Sequence, residues 1–211
     1  MGKGEVRLFI ASPTYNASYC SEYVESLVGT IKDLQSNGIK TAYKSLCGMH
    51  WIDIARDVLA HIFLHSDCTH MLQIDSDVGW PADAPRKMLA ADKDIIGGVY
   101  PIKMDAFEHY PVKVTDKVEG LPGGFMLVKR EVIERMAVAR KPYSVCVMEY
   151  GELKVAPLYT REMREDSYTG EDFMFCRRAI ESGYELAIYE DIDFSHVGAK
   201  AWKANYSKRA K

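Results

Sequence analysis

The chain has 211 residues, 47% of them apolar and 27% charged, with a formal net charge of −3. That length and balance describe a soluble globular domain able to bury its own core, and exclude a disulfide-stapled miniprotein, a disordered chain and a collagenous one. The slight acidic excess argues against a dedicated nucleic-acid binder, because such domains are usually strongly basic.

The first hundred residues alternate between two kinds of apolar pattern. Val6–Ala11 is a short apolar run, read as a buried strand ending at the breaker Ser12-Pro13-Thr14. Ser21 is the expected N-cap of a helix on which Val24, Leu27, Val28, Ile31 and Leu34 recur at helical spacing, with Gly38 closing it. Residues 40–46 alternate as a second strand, and Ile54, Val58, Ile62 and Phe63 form the stripe of a helix over 52–65. A third strand, 70–74, runs into Asp75-Ser76-Asp77. Pro81 opens a short helix reaching about Ala91, and 95–99 is a fourth strand. This order predicts a mostly parallel sheet with helices on both faces.

The second half is less regular. Strands are expected over 112–114, 125–129, 143–147 and 186–189, and helices over 131–136 and 171–182, with a long irregular connection over 159–170. Residues 1–100 are therefore read as a nucleotide-binding half and 101–198 as a mixed half, followed by a basic tail over 199–211 that carries Lys200, Lys203, Lys208, Arg209 and Lys211.

The five cysteines form no Cys-x-x-Cys pair, and no run of about 18 apolar residues exists. The start of the chain has Lys3, Glu5 and Arg7 spaced through it and no apolar stretch, so it does not read as a signal peptide. A reducing, cytoplasmic setting is the expectation. His61 and His65 stand four apart on a helix but lack an intervening Glu and an evident third ligand, so no zinc site is expected there.

Three Asp-x-Asp triplets occur, and with 30 acidic residues in the chain some arise by chance. Position separates them. Asp92 and Asp94 precede a strand, and Asp191 and Asp193 lie in an irregular segment, whereas Asp75 and Asp77 follow the carboxyl end of an apolar strand. Ligands of open parallel sheets bind at that end. Two carboxylates on one tight turn suit a hard divalent cation that keeps positions open for phosphate oxygens. The competing reading makes them caps for the helix that Pro81 opens. Trp80 and Trp202 are either sugar-stacking platforms or ordinary packing, and Gly123-Gly124 permits close backbone approach.

Four blocks in order resemble those of GT-A-fold glycosyltransferases, in particular the family 2 type: Ser12-Pro13-Thr14-Tyr15-Asn16, Ala55-Arg56-Asp57, Asp75-Ser76-Asp77, and Gly170-Glu171-Asp172 with the later His196-Val197-Gly198. The resemblance runs from about Val6 to Gly198. It implies a single compact α/β domain, a GT-A-type (Rossmann-like) mixed sheet flanked by helices. It implies transfer of a sugar from a nucleoside-diphosphate sugar, most simply UDP-linked, to an acceptor hydroxyl on a glycan, lipid-linked precursor or protein; one base and a metal-bound leaving group point to single displacement with inversion, whereas retention by double displacement needs a second nucleophile. Pro13, Thr14, Tyr15, Asn16 and Arg56 would meet the nucleotide together with Asp75, Ser76 and Asp77. Mn²⁺ or Mg²⁺ would be held by Asp77, by Asp75 and by His196. Asp172 would be the general base, with Glu171 the alternative. Where the second block usually ends in Asn this chain has Asp57. Two other readings stand beside this one: a nucleotidyltransferase-like enzyme, although no Gly-rich basic loop follows the first strand, and a nucleotide-sugar-binding module without turnover.

Overall fold

The structure, a computed structural model, describes residues 5–104, 112–114, 117–164 and 167–208. Its centre is a six-stranded sheet built from β1 (Arg7–Thr14), β2 (Lys40–Cys47), β3 (His70–Ile74), β5 (Ile95–Gly98), β8 (Phe125–Lys129) and β13 (Leu186–Tyr189), in the order β13-β5-β8-β3-β1-β2. Strands β2, β1 and β3 pair in parallel, as do β5 and β13. Strand β8 lies antiparallel to both β3 and β5. Five strands thus share one direction and the sixth makes the sheet mixed.

Alternation along the strands separates two cores. Phe9, Ala11, Met71, Met126 and Val128 face α2 (Ile52–Leu64), α4 (Arg130–Val138) and α5 (Glu171–Glu181). Leu8, Ile10, Leu72, Ile74 and Leu127 face the side of α1 (Ser21–Ser36) and α3 (Ala84–Ala90). The remaining strands are short and peripheral: β4 (Val78–Gly79), β6 (Lys113–Val114), β7 (Val118–Gly120), β9 (Tyr143–Val147), β10 (Gly151–Val155), β11 (Glu162–Arg164), β12 (Ser167–Thr169), β14 (Asp193–Val197) and β15 (Ala201–Asn205).

Several expectations are corrected. The first strand continues to Thr14, because β2 pairs with its whole length while β3 covers only Leu8–Ala11. Beyond Ala11 one side of the strand is open, so Pro13 sits where local edge character tolerates a missing N–H. The first helix is capped by Cys20, whose sulfur accepts from the Tyr23 amide at 3.3 Å, and Ser21 is already helical. The segment around Asp193 is strand β14, with β15 on one side and β4 on the other. Much of the basic tail is β15, and Lys208 pairs with Asp193 at 3.3 Å instead of extending freely. Arg209 and Lys211 lie outside the described residues. The long connection over 159–170 contains the hairpin β11–β12.

Candidate active site

The loops after β1 and β3 open a cleft of about 220 Å³, lined in part by Pro13, Thr14, Tyr15, Asp75, Ser76 and Asp77. Met49 and His50, from the connection into α2, Ile52 and Ala55 of α2 itself, and His196 of β14 line the rest. Pieces distant in sequence meet here because parallel strands deliver their carboxyl ends to one side of the sheet.

At one end Tyr15, 67% exposed, meets His50 edge-to-face with ring centroids 5.4 Å apart. Thr14 donates its hydroxyl to the Ser18 carbonyl at 3.0 Å, and the Asn16 side-chain carbonyl accepts the Ser18 hydroxyl at 2.5 Å. Both residues therefore shape the turn that presents Tyr15, and Asn16 is not among the residues lining the cleft.

At the other end lies Asp77. One oxygen contacts the Lys103 ammonium, and the other faces His196 Nε2 at 3.4 Å. Burial raises the Asp77 carboxyl, but His196 and Lys103 outweigh it and hold the group below the usual carboxylate range. His196 Nδ1 lies 2.7 Å from the Pro101 carbonyl, which can only accept, so Nδ1 carries a proton. In the neutral imidazole the Nε2 lone pair then faces a carboxylate oxygen. Two acceptors come this close only across a shared proton or a shared cation. Hydrogen bonding of the far ring nitrogen to a carbonyl is also how ligating histidines are oriented. Asp75 is turned elsewhere. Among the described residues no group of three or more His, Cys, Asp or Glu side chains is arranged to hold a metal ion; of the three expected ligands, Asp77 and His196 face each other while Asp75 faces Arg56.

Asp75 belongs to a second, buried cluster centred on Arg56. The Arg56 side chain, 3% exposed, donates to Asp75 at 2.8 Å and to Glu171 at 2.8 Å. Burial works against its charge, but Asp75, Glu171 and Asp172 around it outweigh that and keep the guanidinium protonated. Its Nε has no hydrogen-bond partner among the described residues. The Gly-Gly turn before β8 leaves room for this cluster. A Cβ on Gly123 would collide with an Arg56 nitrogen, and one on Gly124 would lie 2.6 Å from an Asp75 oxygen and 2.5 Å from the Tyr100 hydroxyl.

Asp172, 7% exposed at the start of α5, accepts from the Gly123 amide at 3.2 Å and from its neighbour Phe173 at 2.8 Å. Burial, with the nearby Glu171 charge, pushes its carboxyl up against the opposing pull of Arg56. Gln73 closes the ring by donating to the Gly123 carbonyl at 2.6 Å.

Asp57 lies on the same buried turn of α2 but points away from the cleft, accepting from the Leu158 and Tyr159 amides at 2.8 Å each. The other two Asp-x-Asp triplets hold structure together. Asp92 and Asp94 both pair with Lys129 at 3.1 Å, and Asp191 and Asp193 both accept from Asn205. Trp80 is a core residue, 5% exposed, donating to Thr30 at 2.8 Å, so it offers no face to a sugar. Trp202 is partly buried beside Gly198. Sequence patterns do not single out His50, which lines the cleft, or Lys103, which reaches Asp77, since nothing in a lone His or Lys between elements signals where it turns.

This mixed sheet, with its cleft at the strand ends and the acidic turn after β3, defines a GT-A-type fold. Among solved structures the chain is similar to the catalytic domain of Drosophila beta1,4galactosyltransferase 7 in complex with xylobiose, at 15% identity and TM-score 0.54, covering 98% of this chain and 71% of that one. A mutant form of the same enzyme in complex with manganese, UDP-Gal and xylobiose matches at 14% identity and TM-score 0.54, over 98% of this chain and 76% of that one. S. aureus TarS 1–349 in complex with UDP-GlcNAc matches at 13% identity and TM-score 0.51, and the match covers 98% of this chain but only 62% of that fragment. No protein-family model and no curated protein matches the sequence.

Proposed function

We propose that the chain is a hexosyltransferase-like enzyme of the family 2 type that moves a sugar from a nucleoside-diphosphate sugar, most simply a UDP-sugar, to an acceptor hydroxyl. The observation that carries this reading is the convergence of Tyr15, the Asp75–Asp77 turn and His196 in one cleft of a GT-A-type fold. Solved structures with this fold hold UDP-Gal with manganese in one case and UDP-GlcNAc in another. The exposed Tyr15 ring suits stacking on a base, and Asp77 with the His196 Nε2 lone pair suits a hard divalent cation. Such a cation, Mn²⁺ or Mg²⁺, would neutralise charge on the diphosphate leaving group.

Asp172 is the base in this scheme. Its burial-raised carboxyl takes the acceptor proton as the acceptor oxygen bonds to the anomeric carbon. The bond from that carbon to the diphosphate breaks, and its electron pair leaves with the diphosphate oxygen. A single displacement of this kind inverts the anomeric centre. Glu171 is less suited to the role, because its carboxylate is already paired with Arg56. The acceptor belongs to the class of glycans, lipid-linked precursors or proteins. No helix among the described residues is long and apolar enough to cross a membrane. All five cysteines are unpaired, which supports a reducing, cytoplasmic setting.

Titration calorimetry with UDP and Mn²⁺ tests the site. Asp77→Ala is expected to abolish metal-dependent UDP binding. Asp172→Asn is expected to keep UDP binding and lose about 10²–10⁴-fold in transfer rate. Wild-type affinity in Asp77→Ala refutes the donor site, and full transfer by Asp172→Asn refutes the base. Product analysis with nucleoside triphosphates against nucleotide-sugars separates sugar transfer from nucleotidyl transfer and from binding without turnover.

A further inference from the structure

A second cavity, of about 530 Å³, opens beside the start of α5. That size falls within the roughly 300–1,000 Å³ of small-molecule sites. Three elements wall it. Helix α5 supplies Phe173, Arg177 and Glu181, spaced four apart and so on one helical face. Strand β12 supplies Tyr168, 57% exposed, and β7 supplies Glu119. A Cβ on Gly120 would collide with the Phe173 ring, so the glycine of β7 seats that wall. Asp172 belongs to the adjoining stripe of α5, buried with Phe175, Cys176 and Ala179. Gly170 joins the two faces. It lines the cavity, and a Cβ added to it would lie 3.1 Å from Asp172 Oδ1, with no other described heavy atom beyond its chain neighbours within 4 Å. The missing side chain therefore leaves that oxygen open toward the cavity. Oδ1 accepts from the Phe173 amide at 2.8 Å, which leaves it a second lone pair.

We propose that this cavity is the acceptor subsite, that it holds a sugar ring of a glycan, and that the gap at Gly170 is where an acceptor hydroxyl reaches Asp172. This inference rests on the sugar-transfer reading above and narrows its acceptor to one class. The walls make the choice. An exposed aromatic face packs against the C–H face of a sugar ring, and Tyr168 and Phe173 are the rings at hand. The planar Arg177 guanidinium donates to ring hydroxyls, and the Glu119 and Glu181 carboxylates accept from them. Two carboxylates against one guanidinium give these walls no attraction for the phosphate of a lipid-linked precursor. Charged groups on two sides make them a poor seat for an acyl chain.

The test titrates the whole chain with lactose, maltose and N,N′-diacetylchitobiose, and with dodecyl phosphate and a serine-containing peptide as rivals, by saturation-transfer difference NMR. UDP affinity is measured in parallel by calorimetry. The wild type is expected to bind at least one saccharide. Tyr168→Ala is expected to weaken that binding about fivefold and Tyr168→Phe to restore it, because the ring and not the hydroxyl makes the contact. Arg177→Met, a second variant on a different wall, is expected to lose about tenfold. Gly170→Ala suits the extended backbone there, φ −60° and ψ 159°, and sets a methyl against Asp172 Oδ1. It is expected to keep saccharide binding and lose about 10²-fold in transfer from UDP-Gal or UDP-GlcNAc. Saccharide affinity unchanged in both Tyr168→Ala and Arg177→Met overturns the subsite, as does a wild type that binds UDP and no saccharide; both leave the donor site standing. Binding of dodecyl phosphate or the peptide that Tyr168→Ala weakens, with no saccharide bound, overturns the glycan class. Full transfer by Gly170→Ala overturns the gap, and a bound saccharide that never receives sugar from either donor overturns the acceptor role. A wild type that binds neither UDP nor saccharide overturns the sugar-transfer reading and this proposal together.

Discussion

Arg56 is the residue on which the buried half of the site depends. It is the cation between an acid on the donor turn, Asp75, and an acid on the helix that carries the proposed base, Glu171. It is buried, and its charge is paired inside the protein with both acids. Replacing it with Met leaves two carboxylates facing each other with no counter-charge, and such losses cost about 3–5 kcal/mol. Chemical denaturation of Arg56→Met is expected to show a fall of that order. Gly124→Ala is expected to be nearly as harmful, because its Cβ meets both Asp75 and Tyr100 and neither is free to retreat. A Gly124→Ala protein as stable and active as wild type would show that the turn has slack the geometry does not suggest. Asp75 is legible from its place at the carboxyl end of an apolar strand, and Glu171 only from the resemblance of its block to the family motif. The choice of Arg56 as their common partner is not legible, because Asp75 and Glu171 lie 19 and 115 positions from it along the chain.

Among the elements, α2 carries buried polar residues back to back. Arg56 serves the cleft, while Asp57 ties the helix to the segment after β10. One Asp57 oxygen takes two backbone amides, and the other accepts from the Tyr143 hydroxyl at 2.9 Å. Burial pushes its carboxyl up to about 7, against the opposing pull of those donors. A folded-state value above the unfolded one means the native state holds the proton more tightly. The stability so contributed is complete below the ordinary carboxylate range and is lost as pH rises through about 7. Thermal melts are expected to show this decline between about pH 4 and 7 in wild type. Asp57→Asn should flatten it. The Asn carbonyl can keep the two amides while its NH₂ donates toward Tyr143, as the protonated acid would. An unchanged pH slope in Asp57→Asn would assign the decline to another group. This position departs from the Asn usual in the resembled motif, and the structure shows it facing structural amides rather than the cleft.

At the scale of the molecule, the decisive event is the insertion of β8 between β3 and β5. The first four strands of the central sheet met along the chain do not form it alone, since β3 and β5 are joined only through a strand from the second half. Strand β13, later still, closes the far edge beside β5. A fragment of residues 1–100 would leave β3 and β5 with unpaired apolar edges, a state prone to aggregation. Circular dichroism of that fragment is expected to show no cooperative melt, whereas the whole chain should unfold in one transition. A cooperatively folding fragment would mean that the two halves are separable after all.

Read along the chain, the strong patterns are enough to establish most of the central strands, the striped helices, and an acidic turn at a strand's carboxyl end. Those signals are local, set by side-chain periodicity and by turn residues. The strands β4, β10, β14 and β15 escape such a reading: β4 is a buried piece of only two residues, and the other three are largely exposed or half-buried and carry little apolar alternation. Which charges meet is a matter for the folded chain alone. Asp75 and Asp77, two residues apart on one turn, point into different environments, one to a buried guanidinium and the other to an imidazole and an ammonium at the cleft. That division comes from the packing of α2, α5, β14 and the loop after β5 around a single turn. It follows from long-range proximity, which no spacing along the chain encodes.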